Sequence, residues 1–270
     1  MSETISSATA VQEAADRLWA ADRSGVPCPP VRDLIGRDDL PAAYAVQQRL
    51  TDRRVAAGAR VVGRKIGLTS PAVQEQLGVD QPDFGVLFDD MAHADGDAVP
   101  FGAVLQPRVE AEIAFVLEHD LVEGPLDAAQ VRAAVDYAVA ALEICGSRVA
   151  GWDISLGDTV ADNASAGAYV LGSQRRTLAD LEPRDVTMSM GIDGQVVSTG
   201  DGAACLGDPL EAVAWLARTA REFGEPLRAG QVVLSGALGP MWPVTPGASV
   251  RADISGLGSV SIRFSREDER

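Results

Sequence analysis

The chain has 270 residues, 46% of them hydrophobic and 23% charged, which suits one large soluble domain or two small ones. Its formal net charge of −16 repels phosphate backbones and anionic bilayers, so nucleic-acid and membrane partners are not expected. No apolar run approaches the roughly 18 residues of a spanning helix. The acidic start lacks a signal-peptide pattern, and Cys28, Cys145 and Cys205 are odd in number, far apart and without CxxC spacing. They read as reduced thiols of a cytoplasmic protein.

The first sixty residues read as helical. Val11, Ala14, Ala15, Leu18 and Trp19 follow helix spacing, the loop VPCPPV interrupts at 26–31, and a second helix starts with Pro41 and carries Ala43, Val46 and Leu50 on one face before Gly58. VVGRKIGL (61–68) reads as a strand. SPAVQEQLG reads as a brief helix with Ser70 as cap and Gly78 as stop. QPDFGVLFDD reads as a loop running into an extended piece, and residues 105–118 as a strand rich in branched and aromatic side chains. Asp127 caps a helix whose Val131, Val135, Ala138 and Val139 carry it to about Ala140. ALEICGSR and GAYVLG then read as strands. VTMSMGIDGQVVSTG is a hairpin turning at Asp193-Gly194. DPLEAVAWLARTAREFG is a helix capped by Asp208, with Pro209 first and Gly224 as stop. QVVLSGAL, SVRADI and SVSIRF close the chain as strands. Helices followed mostly by strands, without regular βαβ alternation, argue for an α+β fold.

Several chemistries are excluded by motif. The only two histidines, His93 and His119, form no HxxxH or HExxH, and GxSxG is absent. GLGSVS at 256–261 lacks the third glycine of a dinucleotide loop and precedes a strand, so it reads as a turn. Carboxylates and one lysine remain. In LQPRVEAEIAFVLEHDL, Glu110 and Glu112 stand two residues apart on a strand and so project from one face. Neighbouring carboxylates persist if exposed, if one is protonated, or if a cation lies between them. Glu143 interrupts the apolar run AVAALEIC, and a buried glutamate needs a partner. That partner is an arginine, Arg108 or Arg148, or a cation shared with Glu110 and Glu112; spacing alone leaves both open. Three carboxylates suit Mg²⁺ or Mn²⁺. Lys65 is the sole lysine against 22 arginines and lies between glycines in an apolar strand, where desolvation is expected to lower its pKa toward a proton-transfer role.

The blocks GRKIGLTSPAVQEQLGVDQPDFGVLF, LQPRVEAEIAFVL, ALEICGSRVAGWDISLGDTVADNASAGAYVLG and LSGALGPMWPV together resemble, in order and spacing over residues 44–265, the 2-hydroxypenta-2,4-dienoate (2-keto-4-pentenoate) hydratases of the fumarylacetoacetate hydrolase superfamily. The resemblance implies a mixed β-roll over 61–270 with a helical N-terminal segment over 1–60, and a homo-oligomer. It implies a divalent cation, Mg²⁺ or Mn²⁺, held by Glu110, Glu112 and Glu143, with Lys65 and Asp83 as catalytic residues. Ser165, of the NAS segment, and Leu77 fall on substrate-binding positions. The implied reaction adds water to a small 2-hydroxydienoate in meta-cleavage degradation of aromatic compounds, beside a partner aldolase or decarboxylase. Ala166 replaces a cysteine common after NAS, and Trp242 stands at a variable place bearing on the pocket wall and substrate length. The alternatives are a 4-oxalocrotonate decarboxylase, an acylpyruvate hydrolase, for which neither histidine has a matching context, and a non-catalytic partner subunit, which would be expected to have lost a ligand or the lysine.

Overall fold

The computed structural model describes residues 7–70, 74, 79 and 81–266. Three helices come first: α1 (Ala8–Ser24), α2 (Arg32–Ile35) and α3 (Leu40–Ala56). Ser7 caps α1 by accepting from the Ala10 N–H, and Asp39 caps α3 by accepting from Ala42. Their apolar faces form one cluster with Val149, Leu156, Val160 and Ala161 from the middle of the chain. The helical segment is thereby fixed against residues that border the site.

The remaining elements are β1 (Val61–Gly67), β2 (Asp83–Phe88), β3 (Ala92–His93), β4 (Ala98–Val99), β5 (Arg108–Leu117), α4 (Ala128–Ala134), β6 (Val135–Cys145), α5 (Leu156–Ala161), β7 (Ala166–Leu171), β8 (Thr187–Ile192), β9 (Gln195–Asp201), α6 (Pro209–Glu222), β10 (Val232–Ala237), β11 (Trp242–Pro243), β12 (Ser249–Ile254) and β13 (Gly258–Phe264). One mixed sheet runs β2-β1-β10-β5-β6-β7-β3, with β11 added along β5; the other runs β4-β13-β12-β8-β9. β1–β10, β3–β7 and β4–β13 pair in parallel and the other pairs are antiparallel. β6 packs against β12 and β13, and one large apolar core draws on both sheets and on α6. This is the expected α+β architecture of mixed sheets behind an N-terminal helical part. Among the described residues no helix is long and apolar enough to cross a membrane.

The hairpin turns where expected: Asp193 and Gly194 both have positive φ, the requirement of a type I′ turn. One boundary differs. The helix expected to reach Ala140 ends at Ala134, and Val135 begins an eleven-residue strand. β6 lies between β5 and β7 and is buried on both faces from Ala138 to Cys145. A strand buried on both sides shows no period-two alternation, so its valines at 135 and 139 fit helix spacing equally well. The brief helix expected over 70–78, Leu77 included, lies outside the described residues apart from Ser70 and Gln74.

Candidate active site

β5 and β6 pair with Glu110 directly opposite Glu143, and Glu112 stands one pleat further along the same face of β5. Glu112 and Glu143 are fully buried, whereas Glu110 is partly exposed. The Gly236 N–H donates to Glu112 Oε2 at 2.8 Å, and Glu112 Oε1 has no hydrogen-bond partner among the described residues. Among the described residues neither oxygen of Glu143 accepts a hydrogen bond, although Oε1 lies 3.0 Å from Lys65 Nζ.

The arginine alternative for Glu143 does not hold. Arg148 is taken by Asp162, and the Arg108 guanidinium lies over the Trp152 ring at 4.4 Å. Glu143 pairs with Lys65, whose ammonium also donates to the Ala164 carbonyl at 2.8 Å. Lys65 is 3% exposed, so it is no surface charge. The expected direction of its pKa is nevertheless reversed. Burial, the largest single effect, pulls it down, but the fields of Glu143, Cys145, Asp83 and Glu110 outweigh it and hold the ammonium well above its ordinary value.

The acids show the counterpart. Burial, followed by the charge of Glu143, pushes Glu110 up to about 7. Glu112 is raised well above the ordinary value by burial and by Glu143 and Glu110. Burial also raises Asp83, against the pull of Lys65. Four acidic side chains thus surround one ammonium, an imbalance that a divalent cation would relieve.

Asp83 enters from β2 opposite Gly67 of β1. A Cβ at Gly67 would sit 2.2 Å from Asp83 Oδ1 and 3.5 Å from Lys65 Nζ, so only glycine permits this approach. Asp83 Oδ1 has no partner among the described residues, and Thr159 Oγ1 donates to Oδ2 at 3.4 Å. The same hydroxyl lies 3.2 Å from Ser165 Oγ. Ser165 ends a turn in which Asn163, Ala164 and Ser165 all have φ near +50°, a left-handed run that costs energy in non-glycine residues. Asn163 staples that turn to β2: its amide accepts from the Val86 N–H at 2.7 Å and donates to the Val86 carbonyl at 2.9 Å.

Of the residues expected at the site, Lys65, Asp83, Glu110, Glu112, Glu143 and Ser165 gather around the end of β5 and β6; Leu77 lies outside the described residues. Cys145 and Thr159 were not anticipated. The Cys145 thiol sits 3.6 Å from Glu110, and the ligand atoms of Glu110, Glu143 and Cys145 lie within 4.8 Å of one another. All three cysteines are free and buried, and burial pushes the Cys145 thiol well up, so it stays protonated and is a poor ligand for a hard cation. Two-residue spacing from Glu143 was the sequence signal for Cys145, and the DTVADNAS run that for Thr159. Trp242 sits on β11 opposite Val109, beside the strand bearing the acids, and is 43% exposed. A separate cavity of about 260 Å³, lined by Tyr44, Arg64, Phe84 and Phe223, lies on the opposite face of β1 and β2 and contains none of these residues.

Residues 59–265 match the fumarylacetoacetate (FAA) hydrolase C-terminal family. The chain belongs to this family. Within it, the chain is 56% identical over 267 residues to the TodF product hydratase of Pseudomonas putida F1, covering 98% of this chain and 100% of the relative. It is 54% identical to the 2-keto-4-pentenoate hydratase of Paraburkholderia xenovorans LB400 over 94% of each chain. Among solved structures, 4-oxalocrotonate decarboxylase from Pseudomonas putida G7, complexed with magnesium and adipate, superposes with a TM-score of 0.91 at 34% identity, covering 96% of this chain and 98% of that one. Family membership and the hydratase relatives accord with the resemblance read from the sequence blocks.

Proposed function

We propose that this protein is a hydro-lyase of aromatic-compound breakdown that converts 2-hydroxypenta-2,4-dienoate, or a longer 2-hydroxydienoate, into a 4-hydroxy-2-oxo acid. The observation that carries this reading is the convergence of Glu110, Glu112 and Glu143 beside Lys65 and Asp83, with buried carboxylate oxygens that have no hydrogen-bond partner among the described residues. Full-length similarity to hydratases supports it.

The donor set fits a hard divalent cation, Mg²⁺ or Mn²⁺: oxygen ligands, excess negative charge, and oxygens of Glu112 and Glu143 that lack hydrogen bonds among the described residues. Glu110, Glu112 and Glu143 would hold it, and the magnesium complexed with the similar decarboxylase supports a divalent cation in this fold. When bound, the ion supplies Lewis-acid stabilisation of negative charge on the oxygens of a 2-oxo acid.

The protein's own groups move the protons. The substrate's 2-hydroxyl proton is lost as C5 gains one, which leaves a double bond conjugated to the 2-oxo group; water then adds hydroxide at C4 and a proton at C3. Lys65 Nζ, held as an ammonium by its acidic neighbours, gives the proton to C5 and is restored by the proton that leaves the 2-hydroxyl. Asp83, made more basic by burial, accepts a proton from the attacking water and returns it to C3. Ser165 Oγ–H binds the substrate carboxylate, and Leu77 is a further substrate-binding position. Trp242, beside Val109, bears on the length of the substrate tail.

We read residues 1–60 as a helical brace on a catalytic domain of residues 61–270, in a cytoplasmic homo-oligomer whose product suits a retro-aldol partner enzyme. The assay that tests the function supplies 2-hydroxypenta-2,4-dienoate and, separately, 4-oxalocrotonate, each with Mg²⁺ or with EDTA. Mg²⁺-dependent loss of diene absorbance without carbon dioxide release is the expected result. Carbon dioxide release from 4-oxalocrotonate, with the dienoate untouched, would instead make the protein a decarboxylase.

A further inference from the structure

We propose that the Thr159 hydroxyl is a two-position switch, which couples capture of the substrate carboxylate at Ser165 to the basicity of Asp83. The inference rests on the hydratase reading and adds to it a positioning residue that does not touch the substrate.

Thr159 Oγ1 stands between two groups, 3.4 Å from Asp83 Oδ2 and 3.2 Å from Ser165 Oγ. All three residues are at least 95% buried, with exposures of 2% for Asp83, 4% for Thr159 and 5% for Ser165. The positions are held by the backbone. Thr159 lies on α5, whose residue Asp158 accepts from the Val31 and Arg32 N–H groups, the Arg32 guanidinium and both the N–H and hydroxyl of Ser155. Ser165 lies at the end of the left-handed turn stapled by Asn163 and by Lys65. A β-branched threonine on a helix has few rotamers in which to escape this position.

A hydroxyl has one proton to donate. When Thr159 gives it to Asp83, the short contact to Ser165 is satisfied by Ser165 donating to Thr159. Ser165 then has no proton for a substrate. When Ser165 turns its proton to an incoming carboxylate, its oxygen becomes an acceptor, and Thr159 turns toward it. Asp83 thereby loses its side-chain donor, while its other oxygen has no partner among the described residues. A buried carboxylate stripped of a hydrogen bond is a stronger base. Only hydroxyl hydrogens rotate; no covalent bond forms or breaks. Asp83 is thus solvated by Thr159 while the site is empty and becomes the base after the substrate is seated. The charged and titratable groups sensed by Asp83 or sensing it from other elements are Lys65 on β1, Glu110 on β5, Glu143 on β6 and Tyr44 on α3, and none of them changes partner in the switch.

The test compares wild type with Thr159→Val, Thr159→Ser, Ser165→Ala and the Thr159→Val/Ser165→Ala double variant. It measures kcat and KM on 2-hydroxypenta-2,4-dienoate with Mg²⁺ across pH, with thermal unfolding as the fold control. In Thr159→Val, Asp83 lacks its donor at every stage and is protonated before the substrate arrives. Its kcat is expected to fall about tenfold or more with KM within about threefold, and the acid limb of kcat/KM to move to higher pH. Thr159→Ser restores both. Ser165→Ala costs about tenfold less in the valine background than in wild type, because the two hydroxyls act as one device. Wild-type kcat and acid limb in Thr159→Val, failure of serine to rescue, or costs that simply multiply would each overturn the switch and leave the hydratase reading standing. A wild-type protein inactive on the dienoate would overturn both.

Discussion

At the scale of single residues, the site is governed by charge balance. Glu112 is fully buried, with one oxygen on the Gly236 N–H and the other without a partner among the described residues. Glu112→Gln keeps the volume and removes the charge. It is expected to lower Mg²⁺-dependent turnover by about a hundredfold or more while the thermal unfolding curve stays cooperative, and turnover near wild type would remove Glu112 from the metal set. Lys65→Ala acts on the other side of the balance. It is expected to collapse turnover by about a hundredfold or more with Mn²⁺ still bound, as read by electron paramagnetic resonance; full turnover would remove Lys65 from the mechanism. Much of this site was legible in the sequence, because a strand's period of two puts Glu110 and Glu112 on one face whatever the tertiary fold. That Lys65 would neutralise Glu143 was not legible. The pairing depends on β1 and β6, separated in the sheet by β10 and β5, converging on one face. For the same reason the direction of the lysine shift could not be read from its apolar neighbours in sequence: the acids that reverse it come from β2, β5 and β6.

At the scale of elements, capping residues and turn glycines announced themselves, whereas the α4–β6 boundary did not. Asp127, Asp208 and the Asp193-Gly194 turn act through local geometry and fall where the sequence placed them. The switch from helix to strand at Val135 is imposed by pairing with β5 and β7 and has no local signal. The short helix α5 is an element made by one side chain. Asp158 is fully buried, accepts five hydrogen bonds and ties α5 to the start of α2. Asp158→Ala leaves the Val31, Arg32 and Ser155 donors without this acceptor and the Arg32 guanidinium with Asp153 alone. The expected loss is about 3 kcal/mol or more of unfolding free energy, measured by denaturant titration, with a larger loss of activity than stability alone explains because Thr159 follows directly in the chain. A change below about 0.5 kcal/mol would show that α5 is held by packing instead.

At the scale of the whole molecule, the buried acids make stability depend on pH and on metal together. Glu110 is raised from 4.5 to about 7 and Asp162 from 3.8 to about 6, both chiefly by burial. A carboxyl raised in the folded state binds its proton more tightly there than when unfolded. Its contribution is therefore full below the unfolded value and is lost as pH rises through the folded one. Metal-free protein is expected to unfold at a lower temperature near pH 8 than near pH 5.5, and added Mg²⁺ to raise that temperature more at the higher pH, where protons no longer compete for Glu110. A metal-free protein more stable at the higher pH would contradict this. The helical segment, the two sheets and the strained turn at Asn163–Ser165 all serve to hold a cluster of like charges that the fold alone does not neutralise. The central claim is that Glu110, Glu112 and Glu143 together grip one divalent ion beside Lys65. Anomalous diffraction from crystals grown with Mn²⁺ tests it most directly. The account predicts a single strong peak within bonding distance of oxygens from all three glutamates; a peak elsewhere, or none with the trio facing one another unbridged, would contradict it.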